Sequence, residues 1–448
     1  MKKKIVGLFV CLLLLTTAFP VVGNLKEIVN EESKTAAFNS LNGGWIEERD
    51  GVTILHTSGS SYDMGYQQGS LLMERILESS RAIFNYLEQH GISNNDLLDA
   101  WDVMNEYVPP EIIEEMHGLA DGSGISFDKI AAVNMFSPIY HDITCCGSAA
   151  WGSATIDNKL YHMRSYDSTP NIRDPVNGTY LQENQILIVR EPNNGQASLY
   201  PAFACDVGST GGINENGIGI GYKLSWSYDD KTIHGIPKEF RVKMALDIAS
   251  TEKEAIDIIN ANRTKGTNFI ISDGKIPICY VVEQTANLTY NGTWDDPVES
   301  IDPFWEIDHV VRRTNLFLDS TLAAVQRNRY NPQSFLLWLL FKFGLLNKSN
   351  FYPHWSHYKT LSKEIEKHWG TMDLNATMSM LRTVYSGRTD FSFFIIRKII
   401  RFFTPLHQWV SCPETGDMVV SFADADKSAY ENPVHYFNLF ELLESEPP

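Results

Sequence analysis

The sequence predicts an α+β fold, and three observations carry that prediction. Residues 65–143 read as mostly helical, whereas the chain after Asp167 is rich in strand patterns. Helices and strands segregated along a chain favour α+β over alternating βαβ units. Between the two halves, Thr144 to Asp167 reads as a strand, a tight turn and a returning strand. The chain has 448 residues, 43% hydrophobic and 12% aromatic, enough for one large domain or two ordinary ones with a packed core.

The elements follow in order. Met1-Lys2-Lys3-Lys4 precedes an apolar run over residues 5–19, and small residues follow at Val21-Val22-Gly23. This reads as a secretory signal (residues 1–23) cleaved near Gly23. A retained anchor is the alternative, although the run is short for a membrane span. Residues 24 to 44 are polar and read as an exposed leader, and 45–56 alternate as one strand. A Gly- and Ser-rich turn over 58–69 enters a helix with apolar spacing at Leu72, Ile76, Ala82 and Tyr86. Pro109-Pro110-Glu111 opens another helix, with proline in its first turn and acid near its positive end. Asp121-Gly122-Ser123-Gly124 ends it, and 126–136 form a third.

Beyond the hairpin, 185–190 alternate as a strand. Residues 212–224 form a second hairpin on Asn216-Gly217. A short helix over 252–261 precedes strands at 268–273 and 279–283. Residues 356–383 read as a helix pair, and 409–440 return as strands. Two strongly apolar segments, 335–346 and 391–403, look added to this plan, and both are too short to span a bilayer. The second carries Arg397, Lys398 and Arg401 and suits an interfacial helix on a membrane surface. A buried helix or a dimer contact is its alternative. No sequence pattern assigns an oligomeric state.

A formal charge of −18 argues against a nucleic-acid partner. Of six cysteines, Cys11 lies in the signal, leaving Cys145, Cys146, Cys205, Cys279 and Cys412. That odd count fits one free thiol and two disulfides. Sequons at Asn177, Asn262, Asn287, Asn291, Asn347 and Asn375 suit an exported glycoprotein. His354 and His357 stand three apart with no third ligand in view, so no metal site and no cofactor are expected.

The first hairpin holds the chemistry. Asp157-Asn158 marks its turn, because both residues tolerate positive φ. Gly147, Ala149 and Trp151 share the face of Cys145. Cys145 and Asp167 are equally distant from the turn, so they should sit close across the ladder. A thiol at the open end of a hairpin of small residues, beside a carboxylate, is a candidate nucleophile. The plainer reading is a buried Cys-Cys pair in a core strand.

The run Cys145-Cys146-Gly147-Ser148-Ala149-Ala150-Trp151, its turn, and Arg164-Ser165-Tyr166-Asp167 resemble the first hairpin of the cysteine N-terminal-nucleophile hydrolases. The branches it is similar to are the choloylglycine hydrolases, the penicillin-type acyl-coenzyme A acyltransferases and the phospholipase B-like proteins. Ser165 replaces the usual Asn of Arg-Asn-x-Asp. Cys146 stands where Ser or Thr is usual, which leaves Cys145 and Cys146 both open as nucleophile; spacing to Trp151 favours Cys145. Three further motifs follow in the family's order: Asn214-Glu215-Asn216-Gly217, Val281-Val282-Glu283-Gln284-Thr285, and Asp308 through Asn315. Met64-Gly65-Tyr66-Gln67-Gln68-Gly69 also resembles a family block, read here as a helix start packed on the core.

The resemblance implies a four-layer αββα sandwich. It implies cleavage before Cys145, with residues 24–144 as a released or retained small chain and 145–448 as the catalytic chain. It implies Asp167 holding the new α-amine, Arg164 beside the thiol, and an oxyanion hole from Asn315 and the backbone N–H of Leu224 or Ser225. It further implies hydrolysis or transfer of a small-molecule or lipid N-acyl amide. An ester hydrolase of the phospholipase B-like kind, and a non-catalytic surface binding protein on the same fold, are the alternatives. Many relatives carry an active-site Arg where this chain has Tyr358-Lys359.

Overall fold

The computed structural model describes residues 40–140, 143–228, 232–302, 304–326, 353–386 and 404–447. Residues 1–23, expected to be a secretory signal, and the two apolar segments, 335–346 and 391–403, lie outside the described residues.

Three strands open the described chain: β1 (Ser40–Leu41), β2 (Gly44–Arg49) and β3 (Val52–Gly59). A helical stretch follows, and then the hairpin β4 (Ile143–Gly152) and β5 (Asn158–Ser168). β6 (Gln185–Pro192), β7 (Ser198–Phe203), β8 (Gly211–Asn214) and β9 (Ile218–Leu224) form a meander. Beyond two helices come β10 (Thr267–Asp273), β11 (Ile278–Gln284), β12 (Thr289–Gly292) and β13 (Val310–Arg313). β14 (Thr404–Cys412), β15 (Asp417–Phe422) and β16 (His435–Asn438) complete the strands.

They make two sheets. The larger runs β1-β2-β3-β6-β7-β8-β9-β10-β11-β12, and the smaller runs β13-β4-β5-β14-β15-β16. Side-chain alternation gives each sheet two buried faces. Ile54, Leu187, Val189 and Leu199 of the larger sheet meet Trp409, Met418 and Val420 of the smaller one. Their strand neighbours Leu55, Ile186, Ile188 and Tyr200 turn the other way, into the helices. Cys146, Ala150, Tyr161 and Met163 of the smaller sheet face Leu361, Ile365, Leu381 and Val384 from the helices Pro353–His368 and Leu374–Tyr385. The layers are therefore helix, sheet, sheet, helix. The fold is α+β, a four-layer αββα sandwich.

The segment before Cys145 is part of this sandwich. It contributes β1, β2 and β3, and β3 pairs in parallel with β6. The stretch 45–56, read from sequence as one strand, is a hairpin instead. Asp50 and Gly51 both have positive φ (56° and 81°), the geometry an Asp-Gly hairpin turn requires. Two helices escaped the apolar pattern. Asn94–Met104 starts on a Ser93/Asp96 capping box. Lys238–Ile248 is buried on almost every side, so it shows no amphipathic period; its Lys243 is neutralised by Glu115 and Asp247.

The expectation of two disulfides is corrected. Cys145, Cys146, Cys205, Cys279 and Cys412 are all free and buried. Cys145 and Cys146 are neighbours on β4 and turn to opposite faces, and the other three sit on or beside other strands, all packed into the layers as small apolar groups.

The Met64–Gly69 block does pack as a helix start. Ser61–Leu71 crosses Pro110–Ser123 so closely that glycines are required at the contact. A Cβ on Gly65 would lie 2.0 Å from the Glu115 carbonyl oxygen, and one on Gly118 would lie 2.1 Å from that of Tyr62. Gln67 bonds the backbone of Asn42 and Ser58, and Gln68 that of Ala204 and Asp206. Gly118→Ala is expected to destabilise the fold by at least about 2 kcal/mol, read as a lower denaturation midpoint with unchanged slope.

Candidate active site

The register of the first hairpin decides which side chains meet. Cys145 pairs with Tyr166, and Thr144 with Asp167. The ladder runs one residue off the expected register; it starts at Gly152–Asn158, and a bulge between Ala150 and Gly152, with Gly152 at φ 55°, shifts the later pairs by one. Cys145 and Asp167 are thus diagonal neighbours whose side chains leave opposite faces. Cys145 looks toward the larger sheet and Cys146 toward the Leu374–Tyr385 helix.

Cys145 is closed off from solvent. Arg164, two ladder steps away on the same face, places Nη2 3.8 Å from Sγ. The guanidinium is aimed from behind, since Nε donates to the Tyr222 carbonyl at 3.0 Å. The Tyr166 and Tyr222 rings flank it at 5.1 and 4.9 Å. Burial pushes the Cys145 thiol up, the Arg164 charge pulls it down, the Asp167 charge adds to the rise, and the Asp167 backbone N–H and Lys223 oppose it. Lys223, buried on the same inner face, is the further group sequence reading missed.

Asn315 reaches the same point from the end of β13. Its Oδ1 accepts the Cys145 N–H at 2.8 Å, and its Nδ2 donates to the Leu224 carbonyl at 2.6 Å. The Ser225 N–H is engaged by Gly266 O at 3.0 Å. Antiparallel alternation therefore turns the Leu224 N–H away from β10. Of the two backbone donors expected there, Leu224 is the one left for another acceptor.

Asp167 works on the helix side. It accepts from Ser165 Oγ at 2.7 Å and from the Tyr385 hydroxyl at 2.8 Å. With the hydroxyl proton given to Asp167, the Cys146 thiol donates to Tyr385 Oη at 3.2 Å. Cys146 and Ser165, where the hairpin departs from the pattern it resembles, thus belong to one network around Asp167. No local signal could have flagged Tyr385, because it lies 218 residues from Asp167.

The Asn315 loop hangs on a buried ion cluster. Arg313 Nε donates to Glu283 at 2.7 Å, and its Nη2 to Glu299 at 2.6 Å, with all three closed to solvent. Glu283 also accepts the N–H of Leu318 and of Asp319. Burial raises the Glu283 carboxyl, and Arg313 and these N–H groups oppose the shift. Among the described residues, no three His, Cys, Asp or Glu side chains are placed to hold a metal. Tyr358 is buried 5.0 Å from the Arg312 guanidinium.

No family model matches the chain. It is 27% identical over 243 residues to Protein dcd1A of Dictyostelium discoideum, covering 48% of this chain and 54% of that protein. It is 26% identical over 247 residues to Protein dcd1B of the same organism, covering 49% and 47%. An uncharacterized protein of Archaeoglobus fulgidus is 24% identical over 259 residues, covering 50% and 42%. The chain spans about half the length of the curated relatives it matches. Among solved structures it is similar to a Caenorhabditis elegans N-acylethanolamine-hydrolyzing acid amidase ortholog, at TM-score 0.38, 14% identity, and 66% and 99% coverage. It is also similar to a mutant conjugated bile acid hydrolase from Clostridium perfringens (TM-score 0.35, 16%, 66% and 96%). Penicillin V acylase from Agrobacterium tumefaciens gives TM-score 0.36 at 13% identity, covering 66% and 87%. At such TM-scores these likenesses carry no weight for function; the layering rests on the chain's own strand order and contacts.

Arg313→Met would leave Glu283 and Glu299 buried without their counter-charge. It is expected to cost about 3–5 kcal/mol, measured by chemical denaturation, whereas a Lys253→Met control at an exposed pair is expected to cost under about 1 kcal/mol.

Proposed function

We propose that this chain is a self-processing cysteine-nucleophile amidohydrolase or acyltransferase, acting on the N-acyl amide bond of a small molecule or lipid. One observation carries the reading: the Cys145 thiol lies against Arg164 while Asn315 holds the Cys145 backbone N–H. Cys146, turned to Tyr385 on the other face, lacks both partners.

In the first reaction the Cys145 sulfur attacks the Thr144 carbonyl carbon. A C–S bond forms, the Thr144–Cys145 C–N bond breaks, and the nitrogen leaves as an α-amine after gaining a proton. Water then hydrolyses the thioester. The new amine has an ordinary pKa near ~8, so it can accept the proton of its own thiol in later turnovers. Asp167 pairs across the ladder with Thr144 and would hold that amine, itself oriented by Tyr385 and Ser165.

A substrate amide would be attacked in the same way. The oxyanion would take the Leu224 N–H and the Asn315 amide, once Nδ2 leaves the Leu224 carbonyl; one such donor is typically worth ~3 kcal/mol. The amine departs, and water or a second nucleophile takes the acyl group. Secretion, read from residues 1–23, belongs to the proposal, and so does a membrane-surface contact through 391–403.

Cys145→Ala is expected to remain a single chain without activity, checked by intact mass and by turnover of amide and ester substrates in parallel; an active, cleaved variant would overturn the reading. The wild-type large chain is expected to begin Cys-Cys-Gly-Ser. The small chain is expected to stay bound after cleavage, since β3 lies inside the larger sheet and Glu115 is ion-paired to Arg190 at 2.6 Å and to Lys243 at 2.9 Å. The two should co-elute in native size-exclusion and part only in denaturant.

A further inference from the structure

Lys223 is buried between the two sheets with no route to water. β9 turns Gly219, Gly221 and Lys223 toward the smaller sheet. Cβ atoms on the two glycines would strike His162 and Arg164, so the sheets close tightly here. Space for the lysine comes from the opposite strand. A Cβ on Gly147 would lie 2.6 Å from both Cε and Nζ of Lys223. The amine's hydrogen bond is to the carbonyl of Gly221 on its own strand, at 3.2 Å. No carboxylate is paired with it among the described residues. The titratable and charged groups that face it are Arg164 and His162 from β5, Cys145 from β4, and Cys279 from β11; Cys146, on the far face of β4, is coupled to it only through its charge.

A buried ammonium with no anion is costly. Burial and the Arg164 charge accordingly push Lys223 down to about 7. Gly147 stands two residues from Cys145 on one strand face, a spacing of roughly 6–7 Å. Cys145 is therefore within strong electrostatic reach of two cations. Cys279 lies across in the larger sheet and meets Lys223 without the Arg164 contact.

We infer that Lys223 is a positioning residue for Cys145, supplying as an ammonium a second positive charge for its thiolate beside that of Arg164. The S–H bond of Cys145 breaks and its proton goes to the departing backbone nitrogen, while the ammonium keeps its own protons and stabilises the negative sulfur formed on the way. Before cleavage there is no α-amine beside the thiol, so this charge would favour the thiolate in the uncut chain. This rests on the reading of Cys145 as nucleophile. A purely structural lysine would not couple to the titration of the thiol.

The test is Cys145 alkylation by iodoacetamide, mapped by peptide mass in the full chain from about pH 5 to about pH 10, a range that brackets ordinary thiols. Removing the positive charge in Lys223→Met is expected to raise the midpoint by one pH unit or more and to slow labelling about tenfold near neutrality. Lys223→Arg keeps the charge and is expected to hold the midpoint near that of wild type. Gly147→Ala, which displaces Nζ but leaves the lysine in the sequence, is expected to move the midpoint as Lys223→Met does; it decides if the methionine variant does not fold. Midpoints unchanged in folded variants, with wild-type Cys145 labelled, would overturn the role of Lys223 alone. Wild-type Cys145 that never labels, in a protein whose activity survives Cys145→Ala, would overturn the nucleophile and this inference together.

Discussion

A guanidinium held in the dry space between two sheets sets the terms for everything around it. Arg164 cannot reach water, and its partners are a backbone carbonyl, two aromatic faces, one imidazole and one sulfur. Burying such a charge is costly, and its surroundings meet that cost by staying neutral or electron-rich. His162 and His407 are both pushed well down, by burial first and by Arg164 among the charges. His407 then has a nitrogen lone pair to offer, at 3.4 Å from Nη1. The inner face carries positive charge, which opposes the burial that otherwise holds the Cys145 thiol protonated.

Sheet spacing makes this possible. Glycines at 219 and 221 let β5 side chains lie flat on β9, and glycine at 147 admits a lysine from the other side. On the far face of the same hairpin, larger groups meet the helices, and Asp167 is fixed by hydrogen bonds from Ser165 and Tyr385. One strand thus separates two environments. The thiol sits in the cationic layer and the carboxylate in the helix-side layer, one ladder step apart. That separation keeps Asp167 from forming an ion pair with Arg164, which would quench both.

The segment before Cys145 is held by a second buried charge cluster. Arg190 and Lys243 share Glu115 and Asp247 beneath the helix Pro110–Ser123. Removing any one partner would strand the others in a low-dielectric site. The cluster, together with β3 pairing in parallel to β6, makes the first part of the chain a structural member of the larger sheet.

Sequence alone determined the hairpin, its turn at Asn158 and the face shared by Cys145, Gly147 and Ala149, because turn chemistry and strand alternation are local. It also gave the Asn216-Gly217 hairpin, the proline-started helix and the αL end of that helix at Gly124 (φ 69°). The four layers, and the expectation that Asn315 stands near Cys145, came through resemblance. Register was beyond it, since it depends on which residues pair next to the turn, Gly152 with Asn158, and on a bulge after them that no periodicity records. The helix Lys238–Ile248 was hidden because burial on all sides erases the 3.6-residue pattern. Tyr385, Lys223 and the absence of disulfides among the described cysteines depend on contacts between segments far apart in the chain. Only the closed sandwich decides them, because burial, and the charge balance it enforces, exist only once both sheets are in place.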